Sequence, residues 1–213
     1  MIKIFVTATN TDIGKTYVTK LLLKELSRRG FRIAAFKPIE TGVTNAPLDG
    51  TELLTLSQSL NQELENLHVD DIVPIQFSLP AAPYIANDAK DIDLNTIDNA
   101  VKKFEKLCDI LIIEGAGGLL VPIDSKLMMV DLIKHFNAKT LLVSHCNLGC
   151  INDTLLSLNL LQQYNIPHTF TLNCRENNDS FKTVSKPYFD TKFSDLFIFN
   201  TDIKDLVDKL LVI

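Results

Sequence analysis

The sequence predicts an α/β fold, a single domain with a mostly parallel sheet flanked by helices. Apolar strand-like runs alternate with amphipathic helical segments along the chain, an order typical of βαβ units. Ile110-Leu111-Ile112-Ile113 is a continuous apolar run of the kind found in a central parallel strand buried on both faces. Because 213 residues suit one domain with a sizeable core, we expect a single domain over residues 1–213.

The N-terminal elements follow from local patterns. Val18, Leu22 and Leu26 share one face of a helical segment, and Gly30 supplies a stop after it. The Lys37-Pro38 pair ends the second strand. The predicted elements are a strand at Ile2–Val6, a helix at Lys15–Arg29, a strand at Arg32–Phe36 and a helix near Thr51–Leu60.

The C-terminal elements follow a proline-punctuated loop region, Pro74–Pro83. Asn173–Lys192 is polar, and we expect irregular structure there. The predicted helices are Ile97–Leu107, Asn152–Tyr164 and Asp202–Leu211, and the predicted strands are Ile110–Ile113, Thr140–Ser144, Thr169–Asn173 and Leu196–Asn200.

The segment from Ala8 to Thr16 has the character of a phosphate-binding loop. It joins the first strand to the first helix and ends in Gly14-Lys15-Thr16. In such loops backbone N–H groups surround the phosphates, the lysine meets the outer phosphates, and the hydroxyl reaches Mg²⁺. Thr9 stands where the common pattern has glycine, so the match is degenerate. The strand–loop–helix context nevertheless predicts a nucleotide site and a fold of the P-loop NTPase type.

Further polar segments follow other strands, where ligands bind in parallel α/β sheets. Lys37–Gly42 follows the second strand and directs a lysine toward the phosphate loop. Glu114–Gly118 follows the central apolar strand, so Glu114 is a candidate Mg²⁺ partner and the glycines allow close approach of an anion. Asp49 is a further candidate oxygen donor. Leu148–Asn152 opens a helix whose free N–H groups could hold a carboxylate or simply be capped.

Taken together, these segments resemble the dethiobiotin synthetases. The resemblance covers the first 152 residues and thins beyond residue 165. The matching segments are Ala8–Thr16 (family form G-T-D-T-x-V-G-K-T), Lys37–Gly42, loosely Asp49–Leu53, Pro80–Pro83, Glu114–Gly118 and Leu148–Asn152.

The resemblance implies an ATP-dependent ligase that closes a cyclic urea on 7,8-diaminononanoate with CO₂. A substrate carbamate attacks the γ-phosphate, and the second amine then closes the ring on the carbamic–phosphoric anhydride. Catalysis of this kind depends on positioning and charge neutralisation. The implied cofactor is Mg²⁺, and the implied assembly is a homodimer in which the second subunit's helix start holds the distal carboxylate.

The resemblance also implies a role for individual residues. The catalytic pair is Lys37 and Lys15. The nucleotide-binding residues are Asp12, Ile13, Gly14, Lys15, Thr16, Tyr17, Glu114, Gly117 and, for the base, Asn173. The substrate-binding residues are Thr11, Thr41, Gly118, Leu148, Gly149, Cys150 and Asn152. The metal-binding residues are Thr16, Asp49 and Glu114, with Glu52 as an alternative to Asp49.

Departures from the family pattern leave the nucleobase open. Ala8 replaces the first glycine of the loop, and Asn10 replaces an aspartate. Asn173-Cys174-Arg175 matches only part of the family's base-binding segment, so ATP is expected while GTP or relaxed preference stays open.

Composition excludes several classes of partner. A net charge of −5 disfavours nucleic acid and anionic membranes. Apolar runs fall short of the roughly 20 residues that span a bilayer, and the N-terminus has no signal-peptide pattern, so we expect a cytoplasmic protein. The four cysteines, Cys108, Cys146, Cys150 and Cys174, form no metal-ligand pattern and are expected to be reduced thiols.

Two alternatives come from related classes. Partitioning and positioning ATPases also have deviant phosphate loops, but they carry an additional early lysine that Ala8–Ile13 lacks. Cobyrinate-type amidoligases carry a glutaminase domain, for which this chain is too short.

Overall fold

The computed structural model describes residues 1–174 and 180–212. The strands are β1 (Ile2–Ala8), β2 (Ile33–Phe36), β3 (Ile39–Thr41), β4 (Ile75–Phe77), β5 (Ile110–Gly118), β6 (Lys139–His145) and β7 (His168–Asn173). The α-helices are α1 (Lys15–Arg28), α2 (Leu48–Leu60), α3 (Val69–Ile72), α4 (Pro83–Ala86), α5 (Leu94–Lys102), α6 (Met129–Phe136), α7 (Cys150–Gln163), α8 (Lys186–Lys192) and α9 (Phe199–Val212). A short 3₁₀ turn spans Gln62–Leu64, and a π-helical turn spans Phe181–Ser185.

The central sheet is parallel, with strand order β2-β5-β1-β6-β7. This arrangement confirms the predicted α/β fold. The carboxyl ends of all five strands meet at one edge, which brings the phosphate loop beside the segments that follow β2, β5, β6 and β7.

Successive side chains of β1 point to opposite faces of the sheet, and each face is covered by its own layer of the core. Phe5 packs in the layer that includes α5 and α6, whereas Ile4 and Val6 pack in the layer beneath α1 and α9. All three side chains are buried because a central parallel strand is covered on both faces. This burial holds β1, and with it the start of the phosphate loop, in a fixed position.

The sequence missed some elements and assigned others wrongly. The small parallel pair β3–β4 was not predicted, because each strand has only three residues. Helix α6 was also missed. The predicted strand at Leu196–Asn200 is wrong: a single parallel bridge joins Ile198 to Leu172, and the chain then turns into α9.

The expected irregular segment at Asn173–Lys192 is also only partly correct. Its described part from Phe181 to Lys192 is helical, and Phe181 and Phe189 are buried. These two aromatic side chains anchor the helical segment against the core, beside Phe170 and Phe193. Residues 175–179 of the segment lie outside the described residues.

Cysteine chemistry differs from the expectation of four thiols. Cys146 and Cys174 form a disulfide, with their Cα atoms 5.2 Å apart. The pairing follows from strand register: His145 lies opposite Asn173 in the β6–β7 ladder, so the next residue of each strand faces its counterpart. Cys108 and Cys150 are buried thiols.

Across the described ranges, every helix is too short or too polar to cross a membrane.

Candidate active site

The phosphate loop presents the first turn of α1 to an open cleft. Gly14 is the N-cap of α1 and has φ 98°, and Asp12 has φ 59°. These left-handed conformations turn the backbone so that the first N–H groups of α1 face outward from the end of β1. A helix start of this kind attracts phosphate oxygens.

The cleft has a volume of about 290 Å³. Its lining combines the phosphate loop, the segment after β2, the start of α2 and the end of β5. The lining residues are Thr11, Asp12, Gly14, Lys15, Thr16, Tyr17, Lys37, Glu40, Thr41, Asp49, Gly115, Ala116 and Gly117. The structure therefore brings together most of the residues predicted to bind nucleotide, along with Lys37, Thr41 and Asp49.

Lys37 makes two ion pairs beside the cleft. Its Nζ donates to Asp49 Oδ2 at 2.6 Å and to Glu114 Oε1 at 2.8 Å. Lys37 is 4% exposed and Glu114 is fully buried, whereas the Asp49 side chain is 44% exposed. The lysine is thus held between a buried carboxylate and a carboxylate that borders the cleft.

The charges around Lys37 determine its protonation. Burial alone lowers the pKa of Lys37, but the carboxylates of Glu114 and Asp49 raise it above its usual value. Burial likewise raises the pKa of Asp49, yet Lys37 outweighs it and holds that pKa below its usual range. These two carboxylates therefore favour the protonated, cationic form of Lys37.

Lys15 differs from Lys37 in its surroundings. It is 8% exposed, and among the described residues its Nζ bonds only the Asn10 carbonyl oxygen, at 3.4 Å. Burial lowers its pKa to about 8, although Glu114 acts in the opposite direction. Its ammonium group has weak partners and is available to an anion in the cleft.

Glu114 and Thr16 meet at the floor of the cleft. Thr16 Oγ1 donates to Glu114 Oε1 at 2.8 Å. Glu114 Oε2 is buried and has no hydrogen-bond partner among the described residues. An unpartnered carboxylate oxygen beside a hydroxyl and the Asp49 carboxylate suits Mg²⁺, which prefers a few protein oxygens and otherwise binds phosphate and water.

Glu52, the alternative to Asp49 as a metal-binding residue, does not line the cleft. Its carboxylate bonds Lys20 Nζ at 2.6 Å on the surface of α1 and α2. Asp49, one turn earlier, is the α2 carboxylate that reaches the cleft. No group of three or more His, Cys, Asp or Glu side chains that could hold a metal occurs in residues 1–174 and 180–212.

Glu40 is a cleft residue that the sequence reasoning missed. It lies in β3 and is 7% exposed. Its carboxylate accepts backbone N–H bonds from Asp49 at 3.1 Å and Gly50 at 2.9 Å. Burial raises its pKa, partly offset by the Gly50 hydrogen bond and the Lys37 charge. The sequence signal that could have identified Glu40 is its place between Lys37 and Thr41, two positions that match the family motif.

The glycines after Glu114 allow the chain to approach the phosphate loop. A Cβ on Gly118 would lie 3.2 Å from the Thr9 carbonyl oxygen and 3.3 Å from that of Ala8. Gly117 has φ 65°, and a Cβ there would lie 2.6 Å from Val121 Cγ2. A side chain at position 118 would therefore push the end of β5 away from the loop, whereas one at position 117 would collide with Val121.

The predicted substrate residues divide between two places. Thr11 and Thr41 line the cleft, whereas Gly118 lines a neighbouring groove of about 670 Å³ formed with α7. This groove is lined by Thr9, Asn10, Gly118, Leu119, Leu120, Val121, Pro122, Leu156, Ser157, Asn159, Leu160 and Gln163. Leu148, Gly149, Cys150 and Asn152 belong to neither of these two described linings.

The start of α7 is an exposed turn. Gly149 is its N-cap with φ 98°, Leu148 is 87% exposed, and the Cys150 side chain is buried. His145 Nε2 lies 3.0 Å from Asp153 Oδ2, and its Nδ1 accepts the Asn147 N–H at 3.2 Å. The His145 ring therefore fixes the turn against the first turn of α7.

Asn173 touches the phosphate loop directly. Its Nδ2 donates to the Ile13 carbonyl oxygen at 2.8 Å. Its Oδ1 is buried without a hydrogen-bond partner in the described part of the chain. Asn173 thus links the end of β7 to the loop and retains an acceptor. Arg175, the other residue of the partial base-binding match, lies outside the described residues.

Comparisons with known proteins agree on the fold and the family. Residues 3–191 match the family model described as "AAA domain". The chain is 42% identical over 193 residues to the ATP-dependent dethiobiotin synthetase BioD of Sulfurovum sp., covering 91% of this chain and 92% of that protein. It is 36% identical over 211 residues to the protein of the same name from Wolinella succinogenes, covering 98% and 97%.

Solved structures of low identity share the fold. A plasmid partition protein from Borrelia burgdorferi superimposes with a TM-score of 0.56 at 11% identity, covering 99% of this chain and 96% of that one. The MinC:MinD cell division protein complex of Aquifex aeolicus also gives 0.56, at 16% identity, covering 99% and 85%. At such identities the likeness concerns the arrangement of strands and helices alone, and it confirms the predicted P-loop NTPase architecture.

Proposed function

Because the chain belongs to the dethiobiotin synthetase family, a family of ligases, we propose that it makes dethiobiotin in biotin biosynthesis. The proposed reaction uses ATP to close a cyclic urea on 7,8-diaminononanoate and CO₂. The observation that carries this proposal is the presence of two buried lysines, Lys15 and Lys37, on one cleft at a helix start. Two cations so placed suit a reaction that must hold two anions, a carbamate and a triphosphate, close together.

We assign the phosphate end to α1 and Lys15. The first N–H groups of α1 and the weakly bonded Lys15 ammonium would receive the β- and γ-phosphates. Thr16, Asp49 and Glu114 would hold Mg²⁺, which supplies charge neutralisation to the phosphates when bound. The ATP-dependent activity named for the relatives favours ATP as the nucleotide, and Asn173 Oδ1 could accept from an exocyclic amine, a donor that adenine and guanine both carry.

We assign the carbamate to Lys37. Its ammonium already lies between two carboxylates, and the half-exposed Asp49 is the partner that a carbamate oxygen can displace. Glu114 would keep Lys37 in place during that exchange, because this pair is buried. Lys37 would then steady the carbamate as it attacks the γ-phosphate, while Thr41 bonds the substrate near its amines.

We propose that the distal carboxylate of the substrate is held at α7 of a second subunit. The start of α7 lies outside the lining of the phosphate cleft, so the two sites are separate within the described part of one chain. Leu120, Leu148 and Leu156 are 59%, 87% and 62% exposed around this helix, and such apolar exposure suits contact with another copy.

Phosphate release tests this proposal. Purified protein is given ATP and Mg²⁺ with and without 7,8-diaminononanoate and bicarbonate, and GTP and CTP are run in parallel. We expect release that requires both co-substrates and yields dethiobiotin by mass spectrometry. Hydrolysis that ignores them and is stimulated by DNA or lipid would instead indicate a nucleotide-dependent switch.

A further inference from the structure

Glu40 has contacts that the proposed function leaves unexplained. Its two carboxylate oxygens each accept one backbone N–H, from Asp49 at 3.1 Å and from Gly50 at 2.9 Å. Both amides belong to the first turn of α2, where backbone N–H groups lack partners within the helix. Glu40 is thus a cap for α2 supplied from a neighbouring strand.

The local sequence explains why an external cap is needed. The N-cap of α2 is Pro47, whose side chain cannot accept a hydrogen bond. A carboxylate is the strongest substitute, because it accepts two N–H bonds and complements the helix dipole. Glu40 is only 7% exposed, so solvent screens these bonds weakly.

Gly50 makes room for this arrangement. A Cβ at position 50 would lie 2.2 Å from Val73 Cγ2 and 3.4 Å from Glu40 Oε2. The first turn of α2 therefore packs between Val73 on one side and the Glu40 carboxylate on the other. The position of that turn fixes the Asp49 backbone.

The Asp49 backbone in turn sets the Asp49 carboxylate. Its N–H is bound to Glu40, while its Oδ2 lies 2.6 Å from Lys37 Nζ. Glu40 lines the cleft but bonds Asp49 through the backbone, so it acts on the site through another residue.

We propose that Glu40 is a positioning residue. It holds the first turn of α2 so that the Asp49 carboxylate lies beside Lys37 and can help to hold the Mg²⁺ of the bound nucleotide. This inference rests on the proposed function for the identity of the ligands. It predicts that loss of Glu40 weakens Mg²⁺-dependent nucleotide binding only while Asp49 retains its carboxylate.

The test is a double-mutant cycle read by calorimetry. The affinity for a nonhydrolysable ATP analogue is measured with and without saturating Mg²⁺ in wild type, Glu40→Ala, Asp49→Asn and the double variant. We expect Glu40→Ala to reduce the Mg²⁺-dependent gain in affinity about tenfold. In the Asp49→Asn background it should change that gain less than about twofold.

A matched control separates positioning from simple capping. Asp93 caps α5 by accepting the Asn95 N–H at 3.0 Å, on a helix whose residues lie outside the cleft lining. Asp93→Ala should lower the melting temperature by about 2–4 °C, as loss of a cap does in a chain of this size, and leave the Mg²⁺ effect unchanged. If Glu40→Ala behaves in the same way as Asp93→Ala, Glu40 is only a structural cap and the inference is wrong.

Two further outcomes are interpretable. If Glu40→Ala fails to fold, Glu40→Gln keeps the shape and one acceptor oxygen, and we expect a smaller loss in the same direction; an unchanged Mg²⁺ effect in Glu40→Gln then contradicts the inference. If wild-type protein shows no release of phosphate that depends on diamine and bicarbonate, the proposed function fails. The calorimetric cycle still decides the role of Glu40, because it needs only nucleotide and Mg²⁺.

Discussion

The phosphate cleft and the start of α7 are built in opposite ways. In the cleft, charged side chains pair with one another: Lys37 contacts both Asp49 and Glu114, and it is almost fully buried. At α7, the prominent side chains are apolar and project outward, with Leu148 87% exposed and Leu156 62% exposed. The charged groups of the first region are brought together within one chain, whereas the second region presents an apolar surface. The contrast teaches that folding of one chain assembles the cleft, whereas the exposed start of α7 is the region for which we propose contact with a second subunit.

Removal of Lys37 from the cleft should have the largest effect, on both turnover and stability. We expect Lys37→Ala to lower turnover by about 10³-fold or more, because the transferring group loses its fixed cation. Glu114 would also be left buried without its partner, so the free energy of unfolding should fall by about 3–5 kcal/mol. Steady-state kinetics and denaturant titration measure the two effects. Lys20→Ala, which removes a surface lysine paired with Glu52, is the control and should change neither greatly. Wild-type turnover in Lys37→Ala would remove Lys37 from the mechanism.

Reduction of the Cys146–Cys174 disulfide tests what holds the α7 region. The bridge closes a loop with a sequence separation of 28 that contains α7. Loop closure of this size stabilises the folded state by about 3–4 kcal/mol, through loss of entropy in the unfolded chain. We expect dithiothreitol to lower the free energy of unfolding by that amount. The variant with both cysteines changed to serine should be equally destabilised and insensitive to reductant. A reductant effect that persists in this variant would contradict the assignment.

Leu156→Asp places a charge on the exposed surface of α7 and tests whether this surface joins two copies of the chain. If this surface joins two copies, the substitution removes about 1.5–3 kcal/mol of apolar burial from each side and should weaken dimerisation tenfold or more. Sedimentation measured across protein concentrations reports the change. Val212→Asp is the control, since Val212 is 84% exposed at the end of α9. Equal dissociation by both substitutions would exclude a specific role for α7.

The pH dependence of nucleotide binding distinguishes the two lysines and is the smallest expected effect. The free-protein pKa of Lys15 is about 8, so above that pH the lysine is mostly neutral and must take up a proton when phosphate binds. We expect affinity for ATP to fall up to about tenfold per pH unit above 8, with proton uptake visible as a buffer-dependent binding enthalpy. Lys37 should contribute nothing to this slope, because its pKa lies above its usual value. Lys15→Arg should flatten the profile; an unchanged profile would contradict the assignment.

The sequence predicted those features that local pattern controls. The alternation of strands and helices identified the parallel sheet, and the strand-end rule placed Lys15, Lys37 and Glu114 at one edge, where they are found. The matched segments identified the family. Each of these inferences depends on residues that are near one another in the chain or on a rule that holds for parallel sheets as a class.

The features that were missed depend on which distant segments meet. Glu40 was given no role within the Lys37–Gly42 segment, because only the fold places the start of α2 against its carboxylate. The Cys146–Cys174 bridge required the register of β6 and β7. Leu196–Asn200 has strand-forming composition. A single bridge nevertheless joins it to β7, between Ile198 and Leu172, and α9 begins at Phe199.

The bond from Asn173 to Ile13 has a consequence for how nucleotide preference can change over evolutionary time. The side-chain Nδ2 of Asn173 supports the phosphate loop, and its Oδ1 retains an acceptor, which we propose for the base. A substitution that alters base choice at this position would also release the loop, so selection on one property constrains the other. We expect lineages that change their nucleotide to retain this asparagine and to vary the residues around it, such as Tyr17 and Asn200, which bond each other beside the phosphate loop.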